Sequence, residues 1–191
     1  MENIMRQHLL IVLFACLLVL SGCSEPIPKS YQPLPQSIKL SGVNLYDHNA
    51  QTIHEQNLEG KWSLVFFGYT YCPDVCPTTL AELNRVASKV TSDQLQVVLV
   101  SVDPERDTPE QLKTYIEYFN PKFQAWSGDI NSIEVLARQL HIFFQKQPYG
   151  DSYLMDHSSQ VVLVNPQGEY EGFFTAPLNP EEMSDYLNSK I

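Results

Sequence analysis

The apolar run Trp62-Ser63-Leu64-Val65-Phe66-Phe67 passes through Gly68-Tyr69-Thr70-Tyr71 into Cys72-Pro73-Asp74-Val75-Cys76-Pro77. No other stretch limits the fold as much. A run this apolar and this rich in strand formers reads as a strand buried on both faces, at the centre of a sheet. Pro77 suits the first position of a helix, and Leu80, Leu83, Val86 and Val90 recur at helical spacing, predicting a helix over roughly Thr78 to Lys89. Two cysteines are therefore expected just past the C-terminal end of a buried strand, where α/β folds gather their active groups.

The rest of the chain extends this pattern. Ile38 to Leu45 is expected as an early strand or hairpin arm, and Leu95 to Val102 as a second buried strand. Asp107-Thr108-Pro109-Glu110 opens a helix toward Phe119, and Ile133 to Leu140 predicts another. Val161 to Val164 and Tyr170 to Phe174 flank Asn165-Pro166-Gln167-Gly168, which reads as a hairpin turn. Pro180 to Leu187 suits a closing helix. Strands alternating with helices indicate a layered α/β domain, and the final hairpin makes its sheet mixed.

The N-terminus carries different information. Leu9 to Leu20 has the length of a signal-peptide core and is short for a membrane span. It ends in Leu20-Ser21-Gly22-Cys23, which resembles a bacterial lipobox. That resemblance implies a lipoprotein signal over residues 1–22 and a lipid on Cys23; an uncleaved anchor with an incidental cysteine is the alternative. Pro26, Pro28, Pro33 and Pro35 make residues 23–36 an expected lipidated tether, with the folded domain over 37–191. The domain is then held on the extracytoplasmic or periplasmic side of the cell membrane. A formal charge of -10 argues against nucleic-acid binding.

Of four cysteines, Cys16 and Cys23 fall in the export segment, leaving Cys72 and Cys76 as the dithiol of the domain. On a helical turn, positions four apart share a face. Free amides at a helix start favour thiolate, and Cys76 is expected directly before that start. Two thiolates suit Cu(I), with Zn(II) as a competitor. The imidazole of His157, in Asp156-His157-Ser158, is a candidate third ligand, with Asp156 as a candidate orienting group. The same residues also fit a redox dithiol beside a histidine, or a structural disulfide closed in an oxidising compartment. Four-ligand structural zinc is short of cysteines.

The run from Gly68 to Leu80 closely resembles the SCO/SenC family of copper-binding, thioredoxin-like assembly proteins. The likeness extends to Lys61-Trp62-Ser63-Leu64-Val65-Phe66-Phe67, to Ser101-Val102-Asp103-Pro104-Glu105-Arg106-Asp107-Thr108-Pro109 and to Asp156-His157-Ser158. It covers about Gln36 to Leu187. It implies a thioredoxin-like mixed central sheet flanked by helices, with an N-terminal strand or hairpin extension. It also implies one copper ion per domain, held as Cu(I) by Cys72, Cys76 and His157. The implied role is copper delivery to the dinuclear copper centre of cytochrome c oxidase, or its redox preparation. The oxidase copper-binding subunit is then the partner, with periplasmic copper carriers or thiol reductants beside it, and the domain is expected to be monomeric. In the alternative role, a thiol-disulfide oxidoreductase, Cys72 and Cys76 are the catalytic pair. The family often has histidine where this chain has Tyr71, a change outside the ligand trio.

Asp74 is expected as a solvated turn residue, and Asp103 and Asp107 as local caps. Arg106 is expected to pair within its loop, and Met155 to pack. His48, His54 and His141 lack a companion motif and are expected outside the site.

Overall fold

A computed structural model describes residues 27–191. The expected signal segment and Cys23 lie outside them. Among the described residues the elements run β1 (Tyr31–Lys39), β2 (Leu45–Asp47), β3 (Thr52–Ile53), a 3-10 turn (Glu55–Leu58), β4 (Trp62–Gly68), α1 (Val75–Lys89), β5 (Leu95–Ser101), α2 (Pro109–Phe119), β6 (Gln124–Ser127), α3 (Ile130–Gln139), β7 (Phe144–Tyr149), β8 (Ser152–His157), β9 (Val161–Val164), β10 (Glu169–Phe174) and α4 (Pro180–Lys190).

β4 is buried along its whole length, as its composition predicts. It lies inside an eight-stranded sheet of order β1-β10-β9-β4-β5-β6-β2-β3. β4, β5 and β6 run parallel, while β9 lies antiparallel on the other side of β4. The sheet is therefore mixed, and α1 packs against both α4 and α2. β7 and β8 form a separate two-stranded ribbon.

Local chemistry accounts for the helix starts. Thr108 accepts from the Gln111 N–H with Pro109 in the first turn of α2. Asn179 does the same for α4, ahead of Pro180. Asp129 accepts from the Asn131 and Ser132 amides, so α3 begins at Ile130 rather than at Ile133. The expected turn between β9 and β10 is present: Asn165 Oδ1 accepts from the Gln167 and Glu169 amides, and Gly168 takes φ +73°.

The N-terminal expectations need two corrections. The expected tether through residue 36 overlaps a strand that begins at Tyr31. Its side chain is buried, with ring centroids 4.8 Å from those of Phe174 and Tyr186. β1 tolerates Pro33 and Pro35 because it is an edge strand, and its register with β10 shifts between Pro33 and Ile38. Gly172 makes this docking possible: a Cβ there would stand 2.6 Å from both Gln32 O and the Tyr31 hydroxyl. The second correction concerns Ile38 to Leu45, which is not one strand. Ile38 and Lys39 end β1, Leu45 opens β2, and the residues between them form neither helix nor strand.

Candidate metal centre

Strand register brings the site together. β4 and β5 run flush from Trp62 opposite Leu95 to Gly68 opposite Ser101. The loops that follow them, 69–74 and 102–108, therefore emerge side by side. β9 runs the other way beside β4, with Val161 opposite Phe66. The residues just ahead of β9 thus arrive at the same end of the sheet, and β8 delivers His157 there.

α1 begins at Val75, earlier than the expected Thr78, so Cys76 lies inside its first turn. Pro77 is tolerated because the first four amides of a helix have no partner within it. The consequence falls on the other cysteine. The Cys76 N–H donates to Cys72 Sγ at 3.4 Å, so the free amides serve Cys72 rather than Cys76. Both are free thiols. Cys76 is fully buried and Cys72 is 9% exposed.

His157 is fixed by its neighbour. Its Nδ1 lies 3.0 Å from the Ser158 carbonyl, which can only accept. Nδ1 therefore carries the proton, and in the neutral ring Nε2 offers a lone pair. That lone pair faces Cys76 Sγ at 3.5 Å. The rings of Phe66 and Tyr69 stand edge-on to the imidazole. Asp156 was a candidate orienting group, but the Ser158 carbonyl fills that role; Asp156 is exposed, opposite Gln145 in the ribbon.

Two sulfurs and one nitrogen lie within 4.8 Å of one another. Two metal–donor bonds of roughly 2.0–2.3 Å span at most about 4.6 Å, so a small contraction closes the trio on one ion. Soft donors in this number fit Cu(I). The two thiols are also electrostatically unequal. Hydrogen bonding with Cys76 lowers the Cys72 pKa to about 4, and the His157 ring and the amides of Asp74 and Cys76 help while burial opposes. Cys76 is pushed the other way, by its interaction with Cys72 and then by burial.

Further residues shape the centre. A Cβ on Gly68 would meet Cys76 Sγ at 3.0 Å, so the missing side chain leaves room for the sulfur. Asp107 is buried and accepts from the hydroxyls of Thr70 and Ser101, both at 2.6 Å, and from the Thr70 amide at 3.1 Å. It braces the start of the cysteine loop instead of capping a helix, and burial raises its pKa. Asp103 is likewise no cap: its carboxylate pairs with Arg106. The carboxylate of Asp74 makes no capping bond. Met155 packs in the core. His48, His54 and His141 stay outside the trio: His48 Nδ1 accepts from the Ala125 amide, His54 Nδ1 faces the Val43 carbonyl, and His141 lies against Tyr170.

Sequence reasoning missed the β7–β8 ribbon that carries His157. The available signal was Gly150-Asp151, a two-residue turn with Gly150 at φ +57° between runs of equal length. Gly68 and Ser158 had no local signal, since what each does depends on a residue or atom placed by folding.

A family model described as SCO1/SenC matches residues 36–191. A Stutzerimonas stutzeri protein named for copper binding is 36% identical over 193 residues, covering 97% of this chain and 94% of the relative. The structure of Bradyrhizobium japonicum ScoI with copper bound superposes with a TM-score of 0.73 at 35% identity, over 80% of this chain and 99% of that one. The structure of Arabidopsis thaliana ScoI with copper bound gives 0.73 at 29% identity, over 84% and 97%. With a family model over residues 36–191 and a relative 36% identical over nearly the whole of both chains, the chain belongs to the SCO1/SenC family.

Proposed function

We propose that this domain carries one Cu(I) between Cys72 Sγ, Cys76 Sγ and His157 Nε2 and supports maturation of the dinuclear copper centre of cytochrome c oxidase. The observation that carries this reading is the convergence of those three donors within 4.8 Å, with the His157 ring held so that Nε2 is free. The two ScoI relatives with copper bound support the choice of metal. The oxidase partner follows from the family resemblance of the motifs.

The chemistry of transfer follows from burial. Cys76 is closed off while Cys72 and His157 are partly open. Donors of the oxidase subunit reach the ion from the Cys72–His157 side, through mixed ligand sets, and Cys76 lets go last. The Leu20-Ser21-Gly22-Cys23 run supports a lipid on Cys23 that keeps the domain at the extracytoplasmic face. Among the described residues no helix is long and apolar enough to cross a membrane.

Anaerobic titration should give one tightly held Cu(I) per domain, with two sulfurs and one nitrogen in the X-ray absorption spectrum. Unchanged affinity after joint replacement Cys72→Ser and Cys76→Ser would falsify the reading.

The unequal thiols favour a second reading, thiol-disulfide exchange. The Cys72 thiolate attacks one sulfur of a disulfide in the oxidase subunit, and the other sulfur leaves as a thiolate. Cys76 then displaces the bound sulfur. The partner gains two thiols, Cys72 and Cys76 become a disulfide, and a thiol reductant restores them. A Cys76→Ser variant should trap the mixed disulfide; no adduct with the oxidised subunit removes this reading.

A further inference from the structure

We propose that Arg106 is a positioning residue for the metal centre: its guanidinium ties the cysteine loop to the ribbon bearing His157 and so holds the imidazole against the sulfurs. This rests on the copper reading above. Arg106 lies between β5 and α2. Its Nε–H donates to the Asp103 carboxylate, and its Nη1–H donates to the Tyr153 carbonyl at 3.2 Å. The Tyr153 ring lies 3.7 Å from the guanidinium carbon and the Tyr71 ring 4.8 Å from it. Tyr71 adjoins Cys72, and Tyr153 is on the strand that ends at His157. One planar cation thus touches both ligand-bearing segments.

The ribbon needs such a tie. It shares no ladder with the main sheet, and an isolated two-stranded hairpin is marginal in water. The register of β9 on β4 brings its His157 end to the site, and side chains hold the two strands in place, among them Met155 in the core. Two cationic links join it to the 102–108 loop. Lys146 pairs with Glu105, but both side chains are largely exposed, at 43% and 67%, so this pair contributes little. Arg106 and Asp103 are 19% and 1% exposed. That link is shielded from water and salt, and it is reinforced by the Tyr153 hydroxyl, which donates to Asp103 at 2.8 Å.

The geometry also distinguishes arginine from a generic cation. Arg106 Nη2 is buried and has no hydrogen-bond partner among the described residues. An unpaired buried donor costs stability. What this side chain gains instead is cation–π contact with the Tyr71 and Tyr153 rings plus two directed bonds, a combination that a planar fork provides and an ammonium does not. Lysine at 106 can keep the Asp103 pair but not the bond to Tyr153 O together with the contact on the Tyr71 ring.

The test compares anaerobic Cu(I) affinity in wild type, Arg106→Gln, Arg106→Lys, Tyr71→Ala and His157→Ala, and in each of the first three substitutions combined with His157→Ala. Arg106→Gln is expected to bind about tenfold more weakly, as for loss of an outer-shell partner, with Arg106→Lys and Tyr71→Ala showing smaller losses. None should weaken binding further once His157 is alanine. In the apo proteins, amides of 153–157 should exchange faster while those of β4 do not. Equal losses with and without His157 would make Arg106 a general structural residue and overturn the proposal. Tyr71→Ala is at an exposed position, so together with Arg106→Lys it decides the matter if Arg106→Gln does not fold: wild-type affinity in both overturns it. Weak binding by His157→Ala beside wild-type binding by the Arg106 variants sinks this inference alone. Wild-type binding by His157→Ala sinks the three-ligand reading, and this one with it.

Discussion

Cys76 and His157 are 81 positions apart in the chain, yet Cys76 Sγ and His157 Nε2 stand 3.5 Å apart. The contact joins the first turn of one helix to the end of a ribbon strand, and neither element is bonded to the other by backbone. It is maintained by the register of β9 on β4 and by the Ser158 carbonyl, which fixes the ring.

Replacing His157 by alanine should weaken Cu(I) binding by about tenfold or more, equivalent to about 1.4 kcal/mol. The ring is partly exposed, so the fold should persist. Competition with a chromophoric Cu(I) chelator reads the affinity, and transfer to an oxidase subunit fragment reads the function. Equal binding and equal transfer by both proteins would remove His157 from the centre.

The Cys72 thiol, with its pKa lowered to about 4, makes the reduced protein pH-sensitive. Between that value and the ordinary thiol value of about 8.5, the folded state binds fewer protons at Cys72 than the unfolded chain does. Its stabilising contribution is therefore full above the ordinary value and is lost as pH falls toward 4. Cys76 runs the opposite way, its contribution present at low pH and lost only in the alkaline range. Alkylation of Cys72 by iodoacetamide should stay nearly constant from roughly pH 6 to 8. Cys76→Ala removes the leading cause, so Cys72 reactivity should regain a strong rise with pH in that interval. A steep rise already present in wild type would contradict the assignment.

Gly68→Ala places a Cβ 3.0 Å from both Cys76 Sγ and Phe66 Cε1 and 3.2 Å from Leu99 Cδ1. All three neighbours are fully buried, so none yields freely. The expected loss is about 1–3 kcal/mol in urea unfolding. Cu(I) affinity should fall too, because the sulfur is what the new methyl displaces. A stable protein with unaltered affinity would mean that Cys76 has more freedom than its packing indicates.

Tyr31 tests where the folded unit begins. Its ring is 4% exposed and packs on Phe174 and Tyr186. Tyr31→Ala should cost about 3 kcal/mol. A fragment starting at residue 37 should likewise unfold at lower urea than one starting at residue 27. Matching unfolding midpoints for the two fragments would return residues 31–36 to the tether.

Legibility followed the range of the physical rule. β4, β5, α2 and the β9–β10 hairpin show in composition, capping residues and turn chemistry, all of which act over a few neighbours. β2, β3 and β6 are too short for a period to register. The β7–β8 ribbon alternates weakly and carries polar residues and Pro148, so its Gly150-Asp151 turn was the main sign of it. α1 starts before its proline because the unpaired amides of a first helical turn accept one.

The order of residues by itself determined a dithiol behind a buried strand, and the motif resemblance singled out His157 as its companion. Folding alone decided that the amides at the start of α1 serve Cys72, that Gly68 makes room for Cys76, that Ser158 turns the imidazole, and that Arg106 spans Tyr71 and Tyr153. Propensity and periodicity reach about one helical turn along the chain. These relations are set by which strands lie side by side and in what register, a property of the whole sheet.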